Sequence, residues 1–241
     1  MKAQVQSFRR ARGSRVGGRG RAVAAGWRQS RSDSRKKEIL AAALHCIATI
    51  GFAATTLADI RIRAQASIGS IYHHFQSKEQ LAAALYVEGL RDYQSSFLAE
   101  LDRHQRAREA VRGVVRHHLR WIERNPDWSR FLFDHRQSDF VTAAEGALKD
   151  LNERFYRATH TRWHRFFESG ELIELPPDLA IAILLGPSQD FARHWLAGHA
   201  RTDVKHAAEI LAEAAWRSLS RSKLKMRSRA RPTSRARTTT R

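Results

Sequence analysis

Residues 55–75 read Thr55-Thr56-Leu57-Ala58-Asp59-Ile60-Arg61-Ile62-Arg63-Ala64-Gln65-Ala66-Ser67-Ile68-Gly69-Ser70-Ile71-Tyr72-His73-His74-Phe75, and this stretch decides the fold. It holds two helix starts. Thr56 precedes Leu57-Ala58-Asp59, a weak form of capping box, and Ser67 precedes Ile68-Gly69-Ser70; the full box Ser77-Lys78-Glu79-Gln80 follows at once. Three starts in such quick succession leave room for two very short helices and then a longer one. Two short helices joined by a tight turn, with a longer helix on each side, are the layout of a helix-turn-helix module. Ile60, Ile71 and Phe75 are its expected miniature core.

Outward from this stretch the chain reads as helix almost throughout. Upstream, Ile39, Ala43, Cys46, Ile47 and Ile50 recur at helical spacing after Asp33/Ser34 and end at Gly51. Cys46 falls on that stripe and reads as a buried, inert thiol, with a redox sensor as the alternative. Downstream, a helix is predicted from Lys78 to about Arg103, then others over about 106–124, 127–135, 139–169, 177–198 and 203–219. Asn125-Pro126 and Leu175-Pro176-Pro177 are the clearest breaks, and Gly186-Pro187 should kink the helix containing it. Pro is scarce between the tails and no sustained period-2 run of β-branched residues occurs, so no sheet is expected. The fold class is all-α, with about nine helices.

The 241 residues carry 43 Lys+Arg against 24 Asp+Glu, with 12 His and a net charge of +19. The excess sits at the ends. Residues 1–37 hold 12 basic and one acidic side chain, residues 217–241 hold 10 basic and none acidic, and the stretch between is nearly neutral. High charge and few large apolar groups make residues 1–32 and 220–241 candidate disordered basic tails. No apolar run approaches the ~18 residues of a membrane helix, and no secretory h-region is present. An organelle transit peptide stays open on composition, because residues 1–32 are Arg-rich, contain Ser and hold no acid before residue 33. A lone cysteine excludes an internal disulfide or a Cys-based zinc site and fits a reducing cytoplasm. Met1 and Met226 are the only methionines, so a start assigned too far upstream, with the true one at a residue such as Val16 or Val23, is an alternative origin for the first tail.

Residues 38–90 resemble the tetracycline-repressor family of transcriptional regulators. The likeness rests on Glu38-Ile39-Leu40 with Ala43, on Gly51-Phe52, and on Thr55-Thr56-Leu57-Ala58-Asp59-Ile60. It continues through Ala64, Ser67, Gly69-Ser70-Ile71-Tyr72-His73-His74-Phe75 and Ser77-Lys78-Glu79 with Leu81. The resemblance implies an N-terminal three-helix helix-turn-helix DNA-binding domain (33–90, motif 56–75) and a C-terminal helical ligand-binding and dimerisation domain (91–219). It makes Thr56, Arg61, Ala66, Ser67, Ile68, Gly69, Ser70, Tyr72, His73 and Lys78 the DNA contacts. Thr56 and Ser67 would satisfy free N–H groups at helix starts that face phosphate. Gly69 would let the backbone approach the duplex, and Tyr72, His73 and Lys78 would bind phosphate oxygens. Ala66, Ser67, Ile68 and Ser70 offer bases only methyl and hydroxyl contacts. Two positions depart from the family pattern: Gln65 stands where the turn usually has Gly, and Arg61 where a small residue is usual.

The second half shows no catalytic arrangement. His160 and His164 stand at i, i+4 without the intervening Glu of the zinc-protease pattern, so no metal and no cofactor are expected. Gly17-Gly18-Arg19-Gly20 follows no strand, and Gly186-Pro187-Ser188 is not a nucleophile elbow. The aromatic content is more informative. Tyr93, Phe97, Trp121, Trp128, Phe131 and Trp163, with His117 and His118, would line the family's ligand cavity, and Arg120 or His135 are further polar anchors. Such a cavity suits a small apolar or aromatic effector. The helices at about 177–198 and 203–219, the latter with an apolar stripe that includes Leu211, Ala215 and Trp216, would pair with those of a second copy as a four-helix bundle. The expected protein is a bacterial cytoplasmic, nucleoid-associated homodimer on a palindromic double-stranded DNA operator, released by its effector, with no membrane partner and no enzymatic activity. The rival readings are a sequence-independent nucleic-acid-binding protein acting through its basic arms, and a helical metal-dependent hydrolase or ligase.

Overall fold

The structure is a computed structural model that describes the backbone of residues 16–221 and side chains from Ser32 onward. The described residues form α1 (Val16–Ala54), α2 (Leu57–Arg63), α3 (Ile68–His74), α4 (Lys78–Asp102), α5 (Ala107–Arg124), α6 (Pro126–Asp134), α7 (Asp139–Ala143), α8 (Glu145–Glu168), α9 (Pro177–Leu196) and α10 (Val204–Leu219). Among them the only β pairing is a single antiparallel bridge between Leu172 and Ser220. The all-α class is as expected.

The chain forms two compact units, and α4 and α8 contribute to both. The first contains residues up to Tyr93 together with Asn125–Glu153. Its core joins Ile39, Ala43 and Ile47 of α1 to Ile60, Ile71, Phe75, Leu81 and Leu85, and also to Phe131 and Phe140 of α6 and α7. The apolar periodicity of α1 therefore has a clear partner. The second unit holds Gln94–Arg124 and the residues from Arg154 on. There α10 packs on α5 and α9 through Val204, Ala207, Ala208, Ala212, Ala215 and Leu219. Arg108, Arg112 and Arg116 of α5 alternate with Glu209 and Glu213 of α10 in a ladder of ion pairs. Glu171 reaches across to accept from the Ala107 N–H (3.2 Å), which caps the start of α5.

Four expectations change. Helix α1 starts at Val16, so residues 16–32 are helical and not part of a disordered tail. The stretch has no Pro to break it. Residues 1–15 and 222–241, the remainder of the expected tails, lie outside the described residues. The predicted helix 139–169 is two, because the chain leaves helical geometry at Ala144 (φ −94°, ψ 10°) just before Gly146. Asn125–Glu153 belongs with the first unit, because the rings of Phe131 and Phe140 complete that core. Finally, the Ser32–Ala54 part of α1 is long and apolar enough, by length and composition, to cross a membrane; its apolar residues are those that build the first core.

Candidate nucleic-acid interface

The site is built from caps and one turn. At the start of α2 the Thr56 hydroxyl accepts from the Asp59 N–H (3.2 Å), while the Asp59 carboxylate accepts from the Thr56 N–H (2.9 Å) and from its hydroxyl (2.6 Å). The capping box is thus complete with Asp in the role of Glu, and these bonds hold the Asp59 carboxyl below its usual range. The Thr56 hydroxyl proton is committed to Asp59. The Ser67 oxygen accepts from the Ser70 N–H (3.1 Å) and caps α3.

Between the two helices Gln65 adopts φ +48°. Its N–H donates to the Ile62 carbonyl (3.1 Å), and the Ala66 N–H donates to the Arg61 carbonyl (3.0 Å). These bonds make a Schellman motif, which needs a left-handed residue where Gln65 stands. The motif also turns the next residue inward. Ala66 is buried in the first core, so the expectation that it is an exposed DNA contact is corrected: its methyl group faces protein.

Helix α3 then has two distinct sides. Ile71 and Phe75 are buried, whereas Ile68, Gly69, Tyr72 and His73 share the exposed side, with Ile68 66% and Tyr72 54% accessible. A Cβ added at Gly69 would meet no atom within 4 Å, and its φ is not positive. Neither packing nor backbone geometry inside the protein requires glycine there. Ser67 is exposed, and Arg61 and Ser70 are half-buried. His74 lies on the partly buried side, where burial first and then the charges of His73, Lys36 and Arg35 push its pKa down.

Lys78 is placed differently from a free surface cation. Its Nζ donates to the carbonyls of Phe52 (3.0 Å) and Ala53 (3.2 Å) and lies 4.6 Å from the centroid of the Phe52 ring. It ties the start of α4 to the end of α1, beyond Gly51, whose φ of +81° breaks the helical path. Three neighbours of the site are not among the expected contacts: exposed Ile62 (65% accessible) and Arg63 on α2, and Arg35 on α1, which donates to the Ala64 carbonyl at 3.3 Å. Helical spacing alone was enough to place Ile62 opposite Ile60.

The expected cavity residues are divided between the two units. Tyr93, Trp128 and Phe131 lie in the first unit, and Phe97, His117, His118, Trp121 and Trp163 in the second. Phe131 is core, and His135 is ringed by Phe52, Phe131 and Phe140, so neither belongs with the second unit. In the second unit Phe97 and Trp121 are buried, and Trp163 packs near Phe166. His117 is 3.1 Å from the Ser96 hydroxyl. Burial, aided by the neighbouring His117, pushes the His118 pKa down to about 4. Buried Glu100 gathers Arg103 and His104 at 3.1 Å, with Arg120 at 3.9 Å. A cavity of about 400 Å³ in this unit is lined by Gly170, Glu171, Trp216, Ser220 and Arg221 and by none of the expected cavity residues. Among the described residues no three His, Cys, Asp or Glu side chains are grouped to hold a metal. Ala215 is buried within its own unit, which corrects its assignment to a dimer interface: the small stripe of α10 is covered by α5 and α9. Leu211 and Trp216 stay half-buried, and Ile210 is 56% exposed.

Residues 39–85 match the family described as bacterial regulatory proteins, tetR family. The chain is 29% identical over 191 residues to the transcriptional activator FasR of Mycolicibacterium smegmatis, covering 78% of this chain and 84% of FasR. It is 35% identical over 82 residues to the transcriptional repressor AcnR of Corynebacterium jeikeium, a match that spans 34% of this chain and only 41% of AcnR. Among solved structures, a TetR family regulator from Marinobacter aquaeolei superposes with a TM-score of 0.67 at 21% identity, over 80% of this chain and 99% of that one. FadR of Bacillus subtilis in complex with stearoyl-CoA superposes with a TM-score of 0.64 at 19% identity, over 74% and 96%.

Proposed function

The chain belongs, through residues 39–85, to the tetR family of bacterial regulatory proteins, and from that premise we propose that it is a homodimeric transcriptional regulator, a repressor released from a palindromic operator by a small effector. The observation that carries the DNA half of this reading is the outward side of α3. It bears a glycine that the protein's own packing and dihedrals do not call for, flanked by Ser67, Ile68, Tyr72 and His73. A bare backbone on an exposed helix makes sense where a duplex must come close. Ser67, Tyr72 and His73 then take phosphate oxygens, and Ile68 and Ser70 face base edges. Arg61 and Arg63 flank the same module. Lys78 and Thr56 contribute by fixing the helices that carry the contacts.

The effector is apolar. Phe97, Trp121 and Trp163 supply the surface for it, and His117 and His118 the polar anchors, with His118 held neutral by its burial. The stearoyl-CoA bound by the Bacillus subtilis FadR supports a long-chain ligand of this kind. The effector acts by binding the DNA-free arrangement more tightly than the DNA-bound one. The dimer forms through exposed apolar groups on the last two helices, Leu179 and Ile181 of α9 and Ile210 of α10, with half-buried Leu211 and Trp216. It works in the bacterial cytoplasm, on the nucleoid.

Selection of binding sites from a pool of random duplexes tests the reading. The expected outcome is enrichment of an inverted repeat with half-site centres about 34–36 Å apart, or a multiple of it. A pool that is bound without enrichment of any sequence contradicts it and leaves sequence-independent binding.

A further inference from the structure

Helix α3 reads Ile68-Gly69-Ser70-Ile71-Tyr72-His73-His74. Polar side chains tell base edges apart in the major groove: Arg or Lys on guanine, Asn or Gln on adenine, Asp or Glu on cytosine. None of those six residue types stands on α3. Its capping residue discriminates little. The Ser67 oxygen already accepts from the Ser70 N–H (3.1 Å). Its one remaining hydroxyl proton needs an acceptor, which phosphate, guanine, adenine and thymine all offer. Ser70 is half-buried.

What α3 does present is Ile68, which at 66% is the most exposed of the large apolar residues described. Single exposed apolar side chains are ordinary on protein surfaces, but the setting of this one is not. Tyr72 stands four residues on, and so on the same face. Gly69 leaves the backbone beside Ile68 bare, with no atom within 4 Å of an added Cβ. An isoleucine side chain is short. Its carbons touch a base only within about 4.0–4.5 Å, so the helix backbone must lie deep in the groove, and a glycine next to it permits that depth. The one apolar group on any base edge of the major groove is the C5-methyl of thymine. Ile68 is chemically matched to that group and to no other feature of the four bases.

We propose that α3 reads its half-site through a thymine methyl group: Ile68, brought close by Gly69, packs on the C5-methyl and sets the base preference. This role rests on the reading of α3 as the recognition helix. Ile62 on α2 is the internal contrast, because it is 65% exposed yet belongs to the helix that crosses the phosphate backbone in such a module.

The test is a double-mutant cycle between protein and DNA, with the full chain and the inverted repeat enriched from unmodified random duplexes. Uracil in place of thymine removes the methyl and keeps the polar edge of the base. Each thymine of the half-site is replaced in turn, symmetrically in both halves. At one position the parent protein should lose about fourfold in affinity per methyl, roughly fifteenfold for the pair, as expected for one buried carbon each. Ile68→Ala should bind the thymine duplex more weakly and distinguish thymine from uracil there by less than about twofold. Ile68 is exposed, so the variant should keep its melting temperature. Ile62→Ala should retain the full thymine–uracil difference. A half-site without thymine, a parent protein indifferent to uracil at every position, or an undiminished difference in Ile68→Ala overturns the proposal. So does equal loss of the difference in Ile62→Ala. Tyr72→Ala tests the premise separately and should weaken thymine and uracil duplexes alike. If it does so while Ile68→Ala keeps the difference, the methyl contact alone falls; if Tyr72→Ala changes nothing, the reading of α3 falls.

Discussion

Gly89 of α4 lies directly under the indole of Trp128 on α6: a Cβ built at Gly89 would come well inside van der Waals contact with the six-membered ring. Both residues belong to the first unit. The missing side chain is what lets α6 sit against α4, and it explains why Trp128 is not available as a cavity residue. Gly89→Ala should gain ~1 kcal/mol in helix propensity yet lower net stability by about 1–3 kcal/mol, because the indole must shift in a packed site. Urea unfolding measures the balance. A variant as stable as the parent would separate Trp128 from α4.

The turn at Gln65 offers a second check. A left-handed conformation costs a residue with a Cβ roughly 1–2 kcal/mol relative to glycine's freedom, and β-branching makes it worse. Gln65→Gly or Gln65→Asn should leave stability unchanged or raise it by up to about 1 kcal/mol, and Gln65→Val should lower it by at least that much. Thermal melts giving Val and Gly variants the same stability would contradict the φ of +48°.

The two apolar sides of α10 should answer differently to charge. Ala215 is buried against its own unit, so Ala215→Glu should cost about 3 kcal/mol or more and reduce helical content. Ile210 is exposed, so Ile210→Glu should leave the circular dichroism intact and weaken self-association. Light scattering of the Ile210 variant as an undiminished dimer would move the interface elsewhere.

Acid should unfold the protein in two separable stages. The buried His118 has a folded pKa near 4 against an ordinary 6.5. Its neutral form is the one the fold accepts, so its contribution is complete above pH 6.5 and is lost as pH falls toward 4, on the order of 2–3 kcal/mol. Glu209, Glu213 and Asp102 are held below their usual values by hydrogen bonds to Arg116, Arg108 and Arg162 respectively. Their contribution is complete above the ordinary carboxylate value and is lost only as pH falls through the lower folded one. Urea midpoints followed from pH 7 downward should therefore decline first through His118, together with His74, His117 and His135, whose pKa values burial also lowers. His118→Leu should flatten that first decline and leave the second. An unchanged first decline would assign it to another group.

What the sequence made legible was local. Thr56 and Ser67 cap helices, Gly51 ends a run, and Ile60, Ile71 and Phe75 meet in a core, because caps and spacing act within one or two turns. Long-range consequences were not legible. Pro126 marks a helix start but says nothing of what the helix packs on, so Trp128 and Phe131 looked like cavity lining. The stripe through Ala207, Ala208, Ala212 and Ala215 called for burial without naming its partner, although its small side chains favour close packing within the chain. Lys78 looked free because only the folded chain brings the carbonyls of Phe52 and Ala53 to it. Ala66 is intermediate: once Gln65 is accepted as left-handed, the Schellman geometry turns its successor inward.

The central claim is that the exposed side of α3 is shaped by DNA and not by the protein's own packing, and Gly69→Ala measures it most directly. The added methyl meets no protein atom, and alanine favours the helix by ~1 kcal/mol, so the variant should melt at the same or a higher temperature. Its affinity for the selected operator should nevertheless fall at least about tenfold, equivalent to roughly 1.4 kcal/mol, with binding to random duplex reduced far less. Unchanged operator affinity in a stably folded Gly69→Ala protein would contradict the account.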